Sequence, residues 1–99
     1  MKFYRYQEIV YHDIGVKVEK KEFILIKETP KGYWITYTWD KKQEYKRWVS
    51  SSARKRFAYP TKEEAMIAFI ARKKRQITIL KGQIEIVQSA LYFVEHNNL

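Results

Sequence analysis

Aromatic and basic side chains that could bind a base and a phosphate together are concentrated between residues 33 and 56 of this chain. A planar ring stacks on a nucleobase, and a guanidinium group donates two parallel hydrogen bonds to a phosphate. The group consists of Trp34, Trp39, Tyr45, Lys46, Arg47, Trp48, Arg54, Lys55 and Arg56. For any single tryptophan the alternative is a place in the hydrophobic core. Taken as a group, they predict a ligand site that includes Trp34, Arg47, Trp48, Arg54 and Arg56.

A second basic cluster, Arg72-Lys73-Lys74-Arg75, is called the basic collar here. Four consecutive residues of a helix point in different directions, so their charges surround it. Lys73 also interrupts a row of apolar positions, where a buried ammonium group without a counter-charge is costly. The functional interpretation places Arg72 and Lys73 in an anion pocket at a junction between subunits. The alternative is a solvated helix turn from which Lys73 extends its ammonium group into water.

The overall charge agrees with an anionic partner. Lys and Arg number 20 against 11 Asp and Glu, which gives a formal net charge of +9. Such a field attracts nucleic acids, nucleotides, acidic proteins and anionic lipid headgroups. Solubility alone can also explain a basic surface. The clustering of the charges favours a binding role.

Signals for catalysis or a cofactor are weak. The chain has no cysteine, which excludes disulfides, thiol nucleophiles and thiolate metal sites and is consistent with a reducing compartment. His12 and His96 are the only histidines, too few for a metal cluster, and there is no glycine-rich phosphate loop. We therefore expect a non-enzymatic protein without a cofactor. A metal-free ribonuclease that uses His12 together with lysine and tyrosine side chains is the remaining catalytic alternative.

Nothing in the sequence predicts a membrane partner. No apolar run approaches the roughly 18 residues of a membrane-spanning helix, and the first residues lack the apolar stretch of a secretory signal. We expect a cytoplasmic location.

The chain predicts an α+β fold in one domain, residues 1–99. Alternation of apolar and polar residues indicates four strands, at residues 2–12, 16–28, 33–39 and 45–50, and residues 57–59 are a candidate fifth strand at the sheet edge. Short turns between them predict an antiparallel meander within residues 1–59. The alternation slips near Lys20-Lys21, where we expect a β-bulge.

One long helix is predicted to follow, over residues 61–96. Thr61 and Glu64 have the spacing of a capping box. Apolar residues then recur at heptad spacing, and this heptad row consists of Met66, Ile70, Ile77, Leu80, Ile84, Val87, Leu91 and Val94. At about 1.5 Å per residue the helix is roughly 50 Å long, about twice the length of a four-stranded platform. The pattern predicts a coiled coil and a homo-oligomer through this helix; the alternative is a helix that bends at Gly82 and folds back.

Part of the chain resembles small accessory proteins of tailed bacteriophages. The resemblance covers roughly residues 30 to 85 and rests on four strings: Gly32-Tyr33-Trp34-Ile35, Lys46-Arg47-Trp48-Val49-Ser50, Arg54-Lys55-Arg56-Phe57-Ala58-Tyr59-Pro60-Thr61-Lys62-Glu63-Glu64-Ala65 and Phe69-Ile70-Ala71-Arg72-Lys73. The resemblance implies a protein that acts in the host-cell cytoplasm, where such proteins often disable host factors or defences. One strategy is a sponge, an oligomer that sequesters the cyclic nucleotide or ADP-ribose derivative by which bacterial immunity signals.

Three functions remain open from the sequence. The leading one is a nucleotide-sequestering protein in which Trp34 or Trp48 stacks on the base and basic residues hold the phosphates. The second is a DNA- or RNA-binding accessory protein, for which a net charge of +9 is expected. The third is an inhibitor that docks its helix or an edge strand on a host protein.

Overall fold

Four antiparallel strands in chain order, followed by one long helix, form the structure, a computed structural model that describes residues 1–97. The elements are β1 (Lys2–Tyr11), β2 (Gly15–Thr29), β3 (Gly32–Tyr37), β4 (Arg47–Ser50) and α1 (Lys62–His96). The sheet order is β1-β2-β3-β4, which confirms the predicted α+β meander. The chain divides into two compact units, Met1–Phe69 and Ile70–Leu99.

The β-bulge lies at a different place from the predicted one. β1 and β2 pair without interruption from Lys2↔Ile24 to Tyr11↔Gly15, so the prediction of a bulge near Lys20-Lys21 is wrong. The register shifts instead between Leu25 and Lys27, where β2 pairs with β3. Leu25 pairs with the buried Ile35, and the extra residue lets Lys27 pair with Trp34 on the opposite face. The bulge thus turns a lysine away from the core.

The core lies on one face of the sheet. Phe3, Phe23, Ile35 and Val49, one from each strand, are buried there with Ala58. Because side chains of a strand alternate between faces, these positions fix which other residues share the core face.

The segment after β4 returns across the core face to the first strand. Phe57 packs against the core cluster. Tyr59 then forms two backbone hydrogen bonds with Tyr4, of 2.7 and 2.9 Å. The predicted fifth strand is therefore a single β-bridge, Tyr4↔Tyr59.

The helix begins at its predicted cap. Thr61 Oγ1 accepts a hydrogen bond from the Glu64 amide at 3.2 Å, and Ala65 in the first turns is buried. α1 continues through Gly82 to His96. Among residues 1–97, no helix combines the length and the apolar composition that a bilayer crossing requires.

Gly32 is required for the close approach of β3 and β4. A Cβ atom at Gly32 would overlap the carbonyl oxygen of Val49 and lie 2.7 Å from Cζ2 of Trp48. We predict that Gly32→Ala lowers the free energy of unfolding by roughly 2–4 kcal/mol, because backbone must shift to admit the methyl group. Urea denaturation followed by tryptophan fluorescence measures this change.

Gly82→Ala is the matched control. Nothing lies within 4 Å of a Cβ at this helical glycine, so the same substitution there is expected to leave stability unchanged or to raise it by up to about 1 kcal/mol. Equal stability of the Gly32→Ala and wild-type proteins would contradict the proposed close contact.

Candidate functional site

Two arginines from opposite edges of the sheet meet on one phenylalanine ring. Arg5 of β1 and Arg47 of β4 place their guanidinium carbons 4.5 and 4.3 Å from the centre of the Phe57 ring. Arg5 Nη1 also donates a hydrogen bond to the Phe57 carbonyl oxygen at 2.8 Å. The two guanidinium groups are thus no more than about 9 Å apart, so both positive charges act on the same part of the surface.

A row of aromatic rings extends from this arginine pair. Phe57 meets Phe23 edge-on at 5.4 Å, and Phe23 contacts Tyr37 at 4.7 Å. Tyr37 stacks on Trp39 at 5.0 Å with an interplanar angle of 16°, and Tyr45 lies 5.5 Å from Trp39. The last two rings are 64% and 54% exposed. We call the set the arginine–aromatic surface; it consists of Arg5, Tyr37, Trp39, Tyr45, Arg47 and Phe57.

Asp40 organises the loop that positions the exposed rings. Its carboxylate accepts hydrogen bonds from the hydroxyl of Thr36, from the Tyr45 amide at 2.8 Å and from the Glu44 amide at 3.1 Å. Both Asp40 and Thr36 are buried. In the same turn Gln43 adopts a positive φ of 56°. These bonds hold the chain at residues 44–45 in the loop, so β4 begins at Arg47 and not at residue 45 as predicted.

The same contacts set the ionisation of Asp40. Burial by itself raises its pKa, but the hydrogen bonds from the Thr36 hydroxyl and from the amides of Tyr45 and Glu44 favour the ionised form. The second effect is the larger one, and the pKa of Asp40 lies below its ordinary value of 3.8. A buried carboxylate at neutral pH therefore holds the loop.

Arg47 keeps its positive charge on the arginine–aromatic surface. On the β1–β2 hairpin, by contrast, ion pairs connect Lys2 and Lys20 to Glu22, and Lys21 to Glu19. Within residues 1–97, no carboxylate forms an ion pair with Arg47. Its guanidinium contacts a ring face, which leaves the in-plane N–H donors for a ligand.

The predicted site residues fall into separate places. Trp34 and Trp48 pair directly across β3 and β4, and they project from the face opposite to Arg47 because consecutive side chains of a strand alternate. They are 39% and 43% exposed, so neither is a core residue. They form a second exposed aromatic surface.

The remaining predicted residues lie in a loop and in the helix. Arg54 is exposed in the loop after β4, where Arg56 Nε donates to the Ala53 carbonyl oxygen at 2.9 Å. Arg72 and Lys73 belong to the second unit, where Lys73 Nζ donates to Gln76 Oε1 at 3.2 Å.

Sequence reasoning missed Arg5, Tyr37 and Phe57. A signal was present for the first two, because alternation places Arg5 on the face of Phe3 and Tyr37 on the face of Ile35. No local pattern places Phe57, since its position depends on the return of the chain to β1.

Comparison with protein-family models, with curated proteins and with solved structures found no match to this chain. Over residues 1–97, no group of three or more acidic or histidine side chains is arranged to hold a metal ion. The chemistry that the surface offers is ring stacking together with anion binding by arginine.

We predict that Asp40→Asn destabilises the protein at neutral pH, because the amide nitrogen cannot accept the hydrogen bonds of one carboxylate oxygen. A group whose pKa is lowered in the folded state stabilises above its unfolded pKa, and this contribution is lost as pH falls through the folded value. The difference in the free energy of unfolding between wild type and variant is therefore expected to be constant from pH 7 to about pH 5 and to shrink below pH 3.8. Urea midpoints at several pH values measure it.

Asp13→Asn, in the exposed β1–β2 turn, is the control and should not change the midpoints. A deficit for Asp40→Asn that is as large at pH 3 as at pH 7 would show that the ionised carboxylate is not its cause.

Proposed function

We propose that this chain is a non-enzymatic binding protein that holds an anionic, nucleotide-like ligand on the arginine–aromatic surface. The observation that carries the proposal is the meeting of Arg5 and Arg47 on the ring of Phe57. A row of ring contacts through Phe23 and Tyr37 connects this ring to the exposed rings of Trp39 and Tyr45. Guanidinium groups and free ring faces are the two features that a phosphate and a nucleobase require.

In this proposal Arg47 binds the phosphate directly. Its contact with Phe57 fixes the plane of the guanidinium, so little side-chain freedom is lost when a phosphate binds. Arg5 already donates to the Phe57 carbonyl oxygen, which orients its guanidinium and adds a second positive charge.

The base would stack on Trp39 or Tyr45. Both rings are more than half exposed, and stacking of one base on an aromatic side chain contributes about 1–3 kcal/mol. The contacts of Trp39 with Tyr37 and Tyr45 hold its ring in place. A ring that is ordered before binding costs less entropy when the ligand arrives.

The resemblance to phage accessory proteins supplies a setting for this chemistry. There the ligand would be a nucleotide signal of host immunity, a cyclic nucleotide or an ADP-ribose derivative, and the protein would remove it from the host cytoplasm by binding it. The residues named for the ligand lie between positions 5 and 57 of one chain, so binding as proposed does not require the homo-oligomer.

Single-stranded nucleic acid is the second candidate ligand. The observation that favours it is the presence of exposed aromatic rings on both faces of the sheet, Trp39 and Tyr45 on one and Trp34 and Trp48 on the other. A strand that passes over an edge of the sheet could stack bases on both surfaces, whereas a small nucleotide would use one.

We predict that Arg47→Ala weakens binding of a nucleotide probe by about 10- to 100-fold, the loss expected when a charged hydrogen bond is removed. The probes are a cyclic dinucleotide and ADP-ribose, and titration calorimetry measures the affinity. Trp39→Ala should weaken binding by about 5- to 150-fold through loss of stacking.

Lys17→Ala is the charge-matched control, because Lys17 lies on the β1–β2 hairpin and pairs with Ile9. Its affinity should stay within about twofold of wild type. Equal losses for Lys17→Ala and Arg47→Ala would indicate attraction by net charge alone. If Trp34→Ala weakened binding and the other substitutions did not, the ligand would bind on the opposite face of the sheet.

Salt and length dependence distinguish the two candidate ligands. For a small nucleotide that contacts two charges, we predict a plot of log affinity against log salt with a slope no steeper than about −2. Oligothymidylates of increasing length should then bind no more tightly than a short one. A slope of about −4 or steeper, with affinity that rises with oligonucleotide length, would identify single-stranded nucleic acid as the ligand.

A further inference from the structure

The second unit exposes a long apolar row on a single helix. From Ile77 onward, the heptad row consists of Ile77, Leu80, Ile84, Val87, Leu91 and Val94, each between 48% and 66% exposed. These residues recur at intervals of three and four, so they share one face of α1. A helix in water gains most of its stability from packing of such a face. A partner for the row is therefore expected.

We propose that a second copy of this chain covers the row and that the two helices run antiparallel, with Ile84 of one chain opposite the partner's Val87. Two features of the helix support this arrangement: the register of its apolar residues and the distribution of its charges. The proposal adds a partner and an orientation to the function proposed above and does not depend on the identity of the ligand.

The antiparallel register places an apolar residue opposite an apolar residue at every level. Ile84 faces the partner's Val87, and outward from the centre Leu80 faces the partner's Leu91. Ile77 then faces the partner's Val94. Two-fold symmetry repeats these three pairs in reverse, which gives six apolar layers over about 26 Å of helix. Lys73 lies beyond the last layer.

A parallel pair would bring like charges together. Residues with the same number face each other in a parallel coiled coil without offset. Lys73 would then face the partner's Lys73 within the seam, and the two basic collars, each with four positive charges, would lie at the same level. Like charges this close repel one another.

The antiparallel arrangement separates the collars. Residues 72–75 of each chain lie at opposite ends of the pair, about 36 Å apart along the axis, which is several Debye lengths at physiological salt. Each collar instead lies near the C-terminal end of the partner's helix, where the free carbonyl groups carry partial negative charge.

Residues that flank the seam are complementary in the same register. In an antiparallel pair Lys74 lies opposite the partner's Glu95, and Lys81 lies opposite the partner's Gln88. Two-fold symmetry gives two Lys–Glu pairs, one at each end. The parallel arrangement offers neither of them.

Disulfide trapping tests the orientation directly, because the chain contains no cysteine. Leu80→Cys and Leu91→Cys are prepared singly, one of them isotope-labelled, and equilibrated alone and mixed in a glutathione redox buffer. The antiparallel pair predicts a disulfide between positions 80 and 91 in the mixture and no cross-link in either variant alone. Mass spectrometry under non-reducing conditions identifies the product. Cross-links in each variant alone, or none in any sample, would overturn the proposal.

A charge reversal outside the apolar row gives a second measurement that does not disturb packing. Glu95→Lys should raise the dissociation constant of the pair about three- to tenfold in sedimentation experiments, and Lys74→Glu in the same chain should restore it to within about twofold of wild type. Glu85→Lys is the control, because Glu85 lies next to Ile84 on the outer side of the pair. Any change that it causes in the dissociation constant should not be restored by Lys74→Glu. If Glu95→Lys had no effect, or no rescue occurred, the register would be wrong. Neither experiment uses a nucleotide, so this proposal and the ligand proposal can fail separately.

Discussion

Backbone pairing between Tyr4 and Tyr59 is the constraint on which the sheet unit depends. The two hydrogen bonds of this bridge draw the segment after β4 back to β1. They place Phe57 and Ala58 over the core face of the sheet. The same return brings Arg5 and Arg47, from the two edges of the sheet, to one ring. A contact that closes the core thus also creates the positively charged part of the candidate site.

Asp40 likewise serves both the stability of the fold and the candidate site, at the loop between β3 and β4. A buried carboxylate is costly unless its oxygens accept enough hydrogen bonds, and here a hydroxyl and two backbone amides supply them. Satisfying that carboxylate requires a tight loop between β3 and β4. Because of the loop, β4 begins only at Arg47, and Tyr45 lies against Trp39. Stability of the loop and exposure of two stacking rings therefore follow from the same set of hydrogen bonds.

The two units present different chemistry to a partner. The sheet unit exposes rings and arginines, which suit a ligand that combines a flat base with negative charge. The C-terminal part of the helix exposes aliphatic side chains, which suit another helix. In the proposed antiparallel pair, the basic collars lie at the two ends of the seam, so self-association would keep the two collars apart. Ligand binding would instead use the positive charge of the arginines on the sheet unit.

The sequence by itself determined the order and type of the elements. Alternation, turn residues and the Thr61 cap are local signals, and they predicted the four strands and the start and length of the helix within a few residues. The bulge was misplaced because its position depends on keeping Lys27 off the core face, which is a property of strand pairing. Arg47 was identified as a candidate from its type and neighbours alone. The separation of Trp48 from Arg47 follows from alternation along one strand, but the association of Arg47 with Arg5 and Phe57 was decided only by tertiary structure. The reason is that the return of a distant segment depends on contacts between residues as far apart in sequence as Tyr4 and Tyr59, which no local pattern contains.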